Sequence, residues 1–172
     1  MEHASYLGHE LHESGTLEYD AKLKRAQFIN QSLEVRETFS FASPVEILRA
    51  LNIYLGSHYG AVCWDLGDLA ATQYMNCYGV NVKLAWNCPR KTRTYVVQQV
   101  LASGLPSSKE EIFSRWLGFQ KSLLKSPSKE VAVLALLSSR DLQSTLGKNS
   151  RLVENLTGLD PLNVSSKLVK NW

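Results

Sequence analysis

Apolar positions three and four residues apart dominate the chain from residue 43 onward, and they predict helices. Ser43-Pro44-Val45-Glu46 places a capping hydroxyl, a proline at the first helical position and a carboxylate at the third, which marks a helix start. Beyond it Leu48, Leu51, Leu55, Tyr59, Val62 and Leu66 line one face. Gly56 and Gly60 weaken that helix but let a neighbour approach closely. The next helix is predicted from about Gly67 to Trp86, with Gly79 as a blemish, and stops before Pro89. Thr92 caps a further helix that Gly104 ends. Ser108-Lys109-Glu110-Glu111 reads as a second capping box, after which Ile112, Trp116, Phe119 and Leu123 keep helical spacing, with Phe113, Leu117 and Leu124 widening the stripe. Ser126-Pro127 opens another helix, which Gly147 ends. Its run "VAVLALL" is far too short to span a bilayer and is expected to be buried. A short helix over roughly Lys148 to Leu156 follows, and Asp160-Pro161 opens a last segment.

The first residues read differently. "SYLGHEL" and "TLEY" hold β-formers, and "HESG" between them offers the polar residues and glycine of a hairpin loop. The expected fold is therefore mainly α, a multi-helix bundle with a short N-terminal β-hairpin, divided into residues 1–19 for the hairpin and 20–172 for the helical region.

At 172 residues and 44% apolar content, the chain can bury a core without staples. "EHASYLGHEL" after Met1 has neither a basic start nor an apolar core, which argues against a secretory leader. The net charge of +3 is unevenly spread: residues 83–129 hold nine Lys/Arg against two Asp/Glu, an excess of +7. Such a block attracts a polyanion through its summed field, or simply solvates helix faces. Within it, "KLAWNCPRKTRTY" at 83–95 has four cations and no acid. In one reading Arg90, Lys91 and Arg93 contact phosphates, with Lys83 one helical face away and Tyr95 free to stack on a base. In the other, Pro89 breaks the chain, the cations solvate the loop and Lys83 meets a helix C-terminus.

Catalytic chemistry finds little support. Cys63, Cys77 and Cys88 are odd in number and widely spaced, which suits neither a zinc site nor a disulfide framework and points to a reducing compartment. His9 and His12 lie three apart, on opposite faces of a strand, so they do not form a metal pair. Asp65 and Asp68 suit helix capping and the helix dipole. No Ser/His/Asp, Cys/His or paired-carboxylate arrangement stands out, and there is no glycine-rich phosphate loop. Trp64, Trp116 and Trp86, each beside Leu or Ala, are expected to be buried.

The order of several strings resembles a known family. These are "YLGHELHESGTLEYDAKLKRAQFINQSLEVRETFSFASP", Tyr59-Gly60, "WDL" at 64–66, "VKLAWNCPRKTRTYVV" at 82–97, "SPSKEVAVLA" at 126–135, "RDLQSTLGKN" at 140–149 and "TGLDP" at 157–161. In succession they are similar to the C-terminal part of the reverse transcriptases of non-LTR (LINE-type) retrotransposons. The resemblance implies an RNA-directed DNA polymerase in which the "YLG" strand closes the palm and the segment around it forms the primer grip. It places Tyr6, Leu7, Gly8 and His9 on that grip. It makes Lys22, Lys24 and Arg25 the start of a helical thumb that tracks an RNA/DNA template-primer duplex. On a helix Lys22 and Arg25 share a face that lies along a duplex or in water, while Leu23 and Ala26 face the core either way.

The departures from the family carry equal weight. Its metal-binding aspartates, which hold the two Mg²⁺ ions of nucleotide addition, belong to a palm upstream of the strand matched here, so no cofactor is expected in this chain. Gly79 next to Tyr78 departs from the family pattern and predicts local erosion of that helix. The resemblance thus implies a non-catalytic fragment that at most binds duplex, inside the cell and without a membrane anchor. A missing palm would leave apolar surface bare and favour self-association. The other reading is a helical interaction domain with no nucleic-acid role.

Overall fold

Helices account for most of what the computed structural model describes, namely residues 3–6, 9–12, 17–55, 58–89, 91–101, 107–158 and 160–162. Among these residues seven α-helices occur: α1 (Glu18–Thr38), α2 (Pro44–Leu55), α3 (Leu69–Ala85), α4 (Thr94–Leu101), α5 (Ser108–Leu124), α6 (Lys129–Arg140) and α7 (Thr145–Thr157). Ahead of them two short strands, β1 (His3–Tyr6) and β2 (His9–His12), pair antiparallel with Tyr6 opposite His9. This pairing differs from the expected one, since "TLEY" enters α1 at Glu18, where Glu18 and Asp20 put acids in the first turn. The supposed loop at 13–16 lies outside the described residues.

Local capping explains most helix starts. The Ser43 hydroxyl accepts from the Glu46 amide at 3.4 Å and the Glu46 carboxylate accepts from the Ser43 amide at 2.8 Å, the reciprocal box read from the sequence. Hydrogen bonding from the Ser43 hydroxyl, then from its backbone amide, holds the exposed Glu46 carboxyl below its ordinary range. The second box sits one residue earlier than expected, between Ser107 and Glu110, because Ser107 takes the extended backbone while Ser108 is already helical and buried. Ser128 rather than Ser126 caps α6, and Ser144 caps α7. In α4 the Val97 amide bonds the Arg93 carbonyl, so the helix begins at Thr94 and not behind a Thr92 cap; Gly104 lies outside the described residues.

Three longer-range expectations are corrected. The helix after Ser43 does not continue to Leu66: α2 stops at Leu55, and the left-handed conformations of His58 (φ 39°) and Gly60 (φ 79°) turn the chain into a short 3-10 segment, Ala61–Cys63. Helix α3 runs without a break through Gly79, so the expected erosion does not occur. Gly147 ends no helix. It lies in the first turn of α7, where a Cβ would collide with the Asp141 carbonyl and come within 2.9 Å of the Ser138 oxygen, so glycine lets the two helices touch.

The core is one apolar cluster shared by all seven helices except α6, which contributes only Ala135 and Ser139 to the buried set. Helices α1 and α3 pack side by side in the same direction: Arg25 bonds Gln73 near one end, and Leu33 and Leu84 border the other. Helix α2 leans on both, and α5 packs on α3 and carries α6 and then α7. At the centre Tyr74 receives the rings of Phe28 and Trp64 edge-on, at centroid distances of 5.6 and 5.0 Å. Trp64 and Trp116 are fully buried and Trp86 partly so, although Trp64 follows the 3-10 turn instead of standing on a helix. The run "VAVLALL" is not buried as expected: Val133, Leu134 and Leu137 are 54%, 63% and 60% exposed. Gln120 explains the choice of face, since its buried amide donates to Ser139 and Ser150 and so fixes which side of α6 meets α5 and α7.

Candidate nucleic-acid interface

The candidate site is built around a buried polar junction. Asp20, in the first turn of α1, is 1% exposed. Its Oδ2 accepts from the Trp64 indole at 2.7 Å and meets Nδ1 of His9 at 3.0 Å, while Lys24 Nζ stands 3.9 Å from Oδ1. One carboxylate thus joins strand β2, helix α1 and the turn after the 3-10 segment. The His9 ring stacks on Tyr59 at 6.1 Å and fills the space that a side chain at Gly60 would need. Glycine at 60 therefore does permit a close approach, by an imidazole.

A second clip extends the junction. The Asn149 side chain donates to the Trp64 carbonyl and accepts from the Leu66 amide, both at 2.8 Å, and Lys148 pairs with Asp65 at 3.1 Å. Asn149 is buried, so its amide replaces the strand or helix partners that residues 64–66 lack. Asp65 also accepts from the Gly67 amide at 3.1 Å. Asp68 precedes α3 but makes no side-chain cap bond; burial, then the Asp65 charge, push its carboxyl up while Lys148 pulls it down. His58 is buried too, with Nδ1 3.0 Å from the Tyr74 hydroxyl. Burial and the nearby Arg115 push His58 down to about 4, against a smaller opposing effect of Glu111.

The sequence-predicted contacts separate into distinct places. Tyr6 lies in β1 opposite His9, whereas Leu7 and Gly8 fall outside the described residues. His9 turns its imidazole inward to Asp20. Lys22 is exposed and pairs with Glu18 at 2.7 Å. Lys24 leans on Asp20, and Arg25 turns into the space between α1 and α3, so these two do not share a wet face with Lys22. Ala26 is exposed instead of facing the core, and Leu23 is half-buried. At the other end of α3, Lys83 is half-buried, Lys91, Arg93 and Tyr95 are exposed, and Arg90 lies outside the described residues. The chain thus brings Lys91, Arg93 and Tyr95 together at the start of α4, and sets them apart from Lys22 by the length of α3.

Asp20 and Asn149 organise the site, yet sequence reasoning missed both. An acid in a first turn and an amide in a mid-chain helix carry no local signal of burial, because their partners lie 44 and 83 to 85 residues away. Among the described residues no group of three or more His, Cys, Asp or Glu side chains is placed to hold a metal ion, and no helix is long and apolar enough to cross a membrane. Comparison of the chain with protein-family models, with curated proteins and with solved structures found no match.

Proposed function

We propose that this chain is the thumb and post-thumb part of a reverse transcriptase of the non-LTR retrotransposon kind, and that it holds RNA/DNA template-primer duplex beside a polymerase palm. One observation carries the reading. The strings that resemble the family lie far apart along the chain, yet His9 and Asp20 of the first, Gly60, Trp64 and Asn149, drawn from four of those strings, meet at one buried junction. A succession of motifs that shares a core behaves as one inherited unit. In this reading the junction fixes strand β2, through His9, against α1, as a grip on a primer end requires. Lys22 at the head of α1 and Lys91 and Arg93 before α4 supply phosphate contacts, with Tyr95 beside them for stacking. Chemistry stays with the palm, whose carboxylates would hold Mg²⁺.

Titration of a fluorescent RNA/DNA heteroduplex at several salt concentrations tests the reading. Affinity should fall steeply with salt, and the joint substitution Lys91→Glu, Arg93→Glu should lower the logarithmic salt slope by about 2. Affinity independent of salt, or unchanged by that substitution, would sink it. The bare α6 face of Val133, Leu134 and Leu137 favours a second reading, a helical interaction domain without a nucleic-acid role. That reading predicts no duplex binding at all.

A further inference from the structure

Helix α6 rests on α5 and α7 through Ala135 and Ser139 and turns its other side to water. At about 100° of turn per residue, Glu130, Val133, Leu134, Leu137 and Arg140 fall along one line on the side opposite Ala135 and Ser139. All five are exposed. The stripe therefore has an acid at its head, three bare apolar side chains in its middle and a base at its tail. Beside it an apolar cavity of about 390 Å³, lined by Phe119, Leu123, Val131 and Leu134 among others, extends the uncovered surface. Glu130 accepts from the Ser128 hydroxyl at 2.7 Å and keeps acceptor capacity for a second donor. Among the described residues none pairs with Arg140, or with Lys129 at the opposite end.

Glu130 at the head and Arg140 at the tail suit the helix dipole, but the dipole does not account for the apolar side chains between them. A second copy of the stripe does. Laid antiparallel about the middle of α6, each Glu130 faces the other copy's Arg140, and Val133, Leu134 and Leu137 of both copies cover one another. Lys129 and Asp141, which flank those two charges, oppose one another in the same way. A parallel arrangement would instead set Glu130 against Glu130 and Arg140 against Arg140, like charges at both ends. We propose that the outer face of α6 is a two-fold interface on which a second copy of this chain docks antiparallel. Such a face is isologous, since one stripe serves as both surface and partner. It uses none of the residues assigned to the duplex, so it stands or falls apart from that reading.

Sedimentation velocity of the full chain and of two charge-reversed variants tests the proposal. Both positions are exposed, so each variant should keep the native thermal transition. The native chain should dimerise with a Kd on the order of 10 to 100 μM, as suits one helix face per copy. Glu130→Arg sets arginine against the other copy's Arg140 in both halves of the interface, and Arg140→Glu sets glutamate against Glu130. Each variant alone should associate about tenfold more weakly. An equimolar mixture of the two should recover the native dimer, because both oppositions then join an arginine to a glutamate. A native chain that stays monomeric at about 500 μM, well above that Kd, overturns the proposal. Association unaltered by either reversal, or a mixture that associates no more tightly than its parts, assigns α6 to unspecific apolar contact and overturns it as well.

Discussion

The imidazole of His9 stands where Gly60 has no side chain, and from there it reaches the carboxylate of Asp20. A methyl group at 60 has to displace that ring, and it also has to adopt a left-handed backbone at φ 79°. Gly60→Ala should cost about 2 to 4 kcal/mol in urea denaturation. In the background of His9→Ala the same change should cost about 1 to 2 kcal/mol, since only the backbone penalty remains. Additive effects in this double-mutant cycle would disprove the contact.

Asp20 holds two ring N–H groups in a site closed to water. Asp20→Ala strands the Trp64 indole and should destabilise the fold by roughly 3 to 5 kcal/mol. Trp64→Phe, which removes the indole donor and leaves the carboxylate its other contacts, should cost less, about 2 to 3 kcal/mol. A smaller loss for Asp20→Ala than for Trp64→Phe would reverse that order and remove Asp20 from the centre of the junction.

His58 makes stability depend on pH. Its charged form is disfavoured in the fold, where it titrates at about 4 against an ordinary 6.5. Between those values the unfolded chain binds a proton that the folded chain does not. This contribution is fully present above about pH 6.5 and is lost as pH falls toward 4, by roughly 3 kcal/mol over the window. His58→Asn, which tolerates the positive φ, should flatten the fall in urea midpoint between those pH values. An unchanged slope in the variant would assign the pH dependence elsewhere.

Two glycines in helices should respond in opposite directions. Gly118 in α5 has open space around a new Cβ, so Gly118→Ala should stabilise by about 0.5 to 1 kcal/mol. Gly147→Ala meets backbone carbonyls of Asp141 and Ser138, which cannot rotate away as a side chain would, and should destabilise by about 2 to 3 kcal/mol. Thermal melting of both variants decides the matter.

The bare face of α6 should drive self-association. Leu134→Glu with Leu137→Glu is expected to convert concentration-dependent elution in light-scattering chromatography to that of a monomer, with little loss of stability because both positions are more than half exposed. A native chain that elutes as a monomer at every concentration would show that this face is harmless.

Several of these features could be read from the chain and several could not. The Ser43 and Glu46 box follows from residues three apart, and the amphipathic stripe of Ile112, Trp116 and Leu117 follows from helical period, so both stand where they were expected. "VAVLALL" misleads because an apolar run has no preferred face of its own; Gln120, from another helix, chooses Ala135 and Ser139 and leaves the leucines outside. The Lys22, Lys24 and Arg25 cluster misleads for a similar reason. Helical spacing groups Lys22 with Arg25, but half-buried Gln73 of α3 draws Arg25 inward and buried Asp20, one turn back in α1, does the same to Lys24.

By itself the sequence determined the helical character, several of the helix starts, the burial of two tryptophans and the placing of a basic, aromatic segment ahead of α4. Capping, periodicity and side-chain volume act over a few residues, so a linear reading reaches them. Only the tertiary structure decided that His9, Asp20, Trp64 and Asn149 share one junction, that Gly60 makes room for an imidazole and that Arg25 enters a groove instead of a wet face. The worth of those polar groups depends on burial and on partners as many as 85 residues away, and both come into being only when the helices pack.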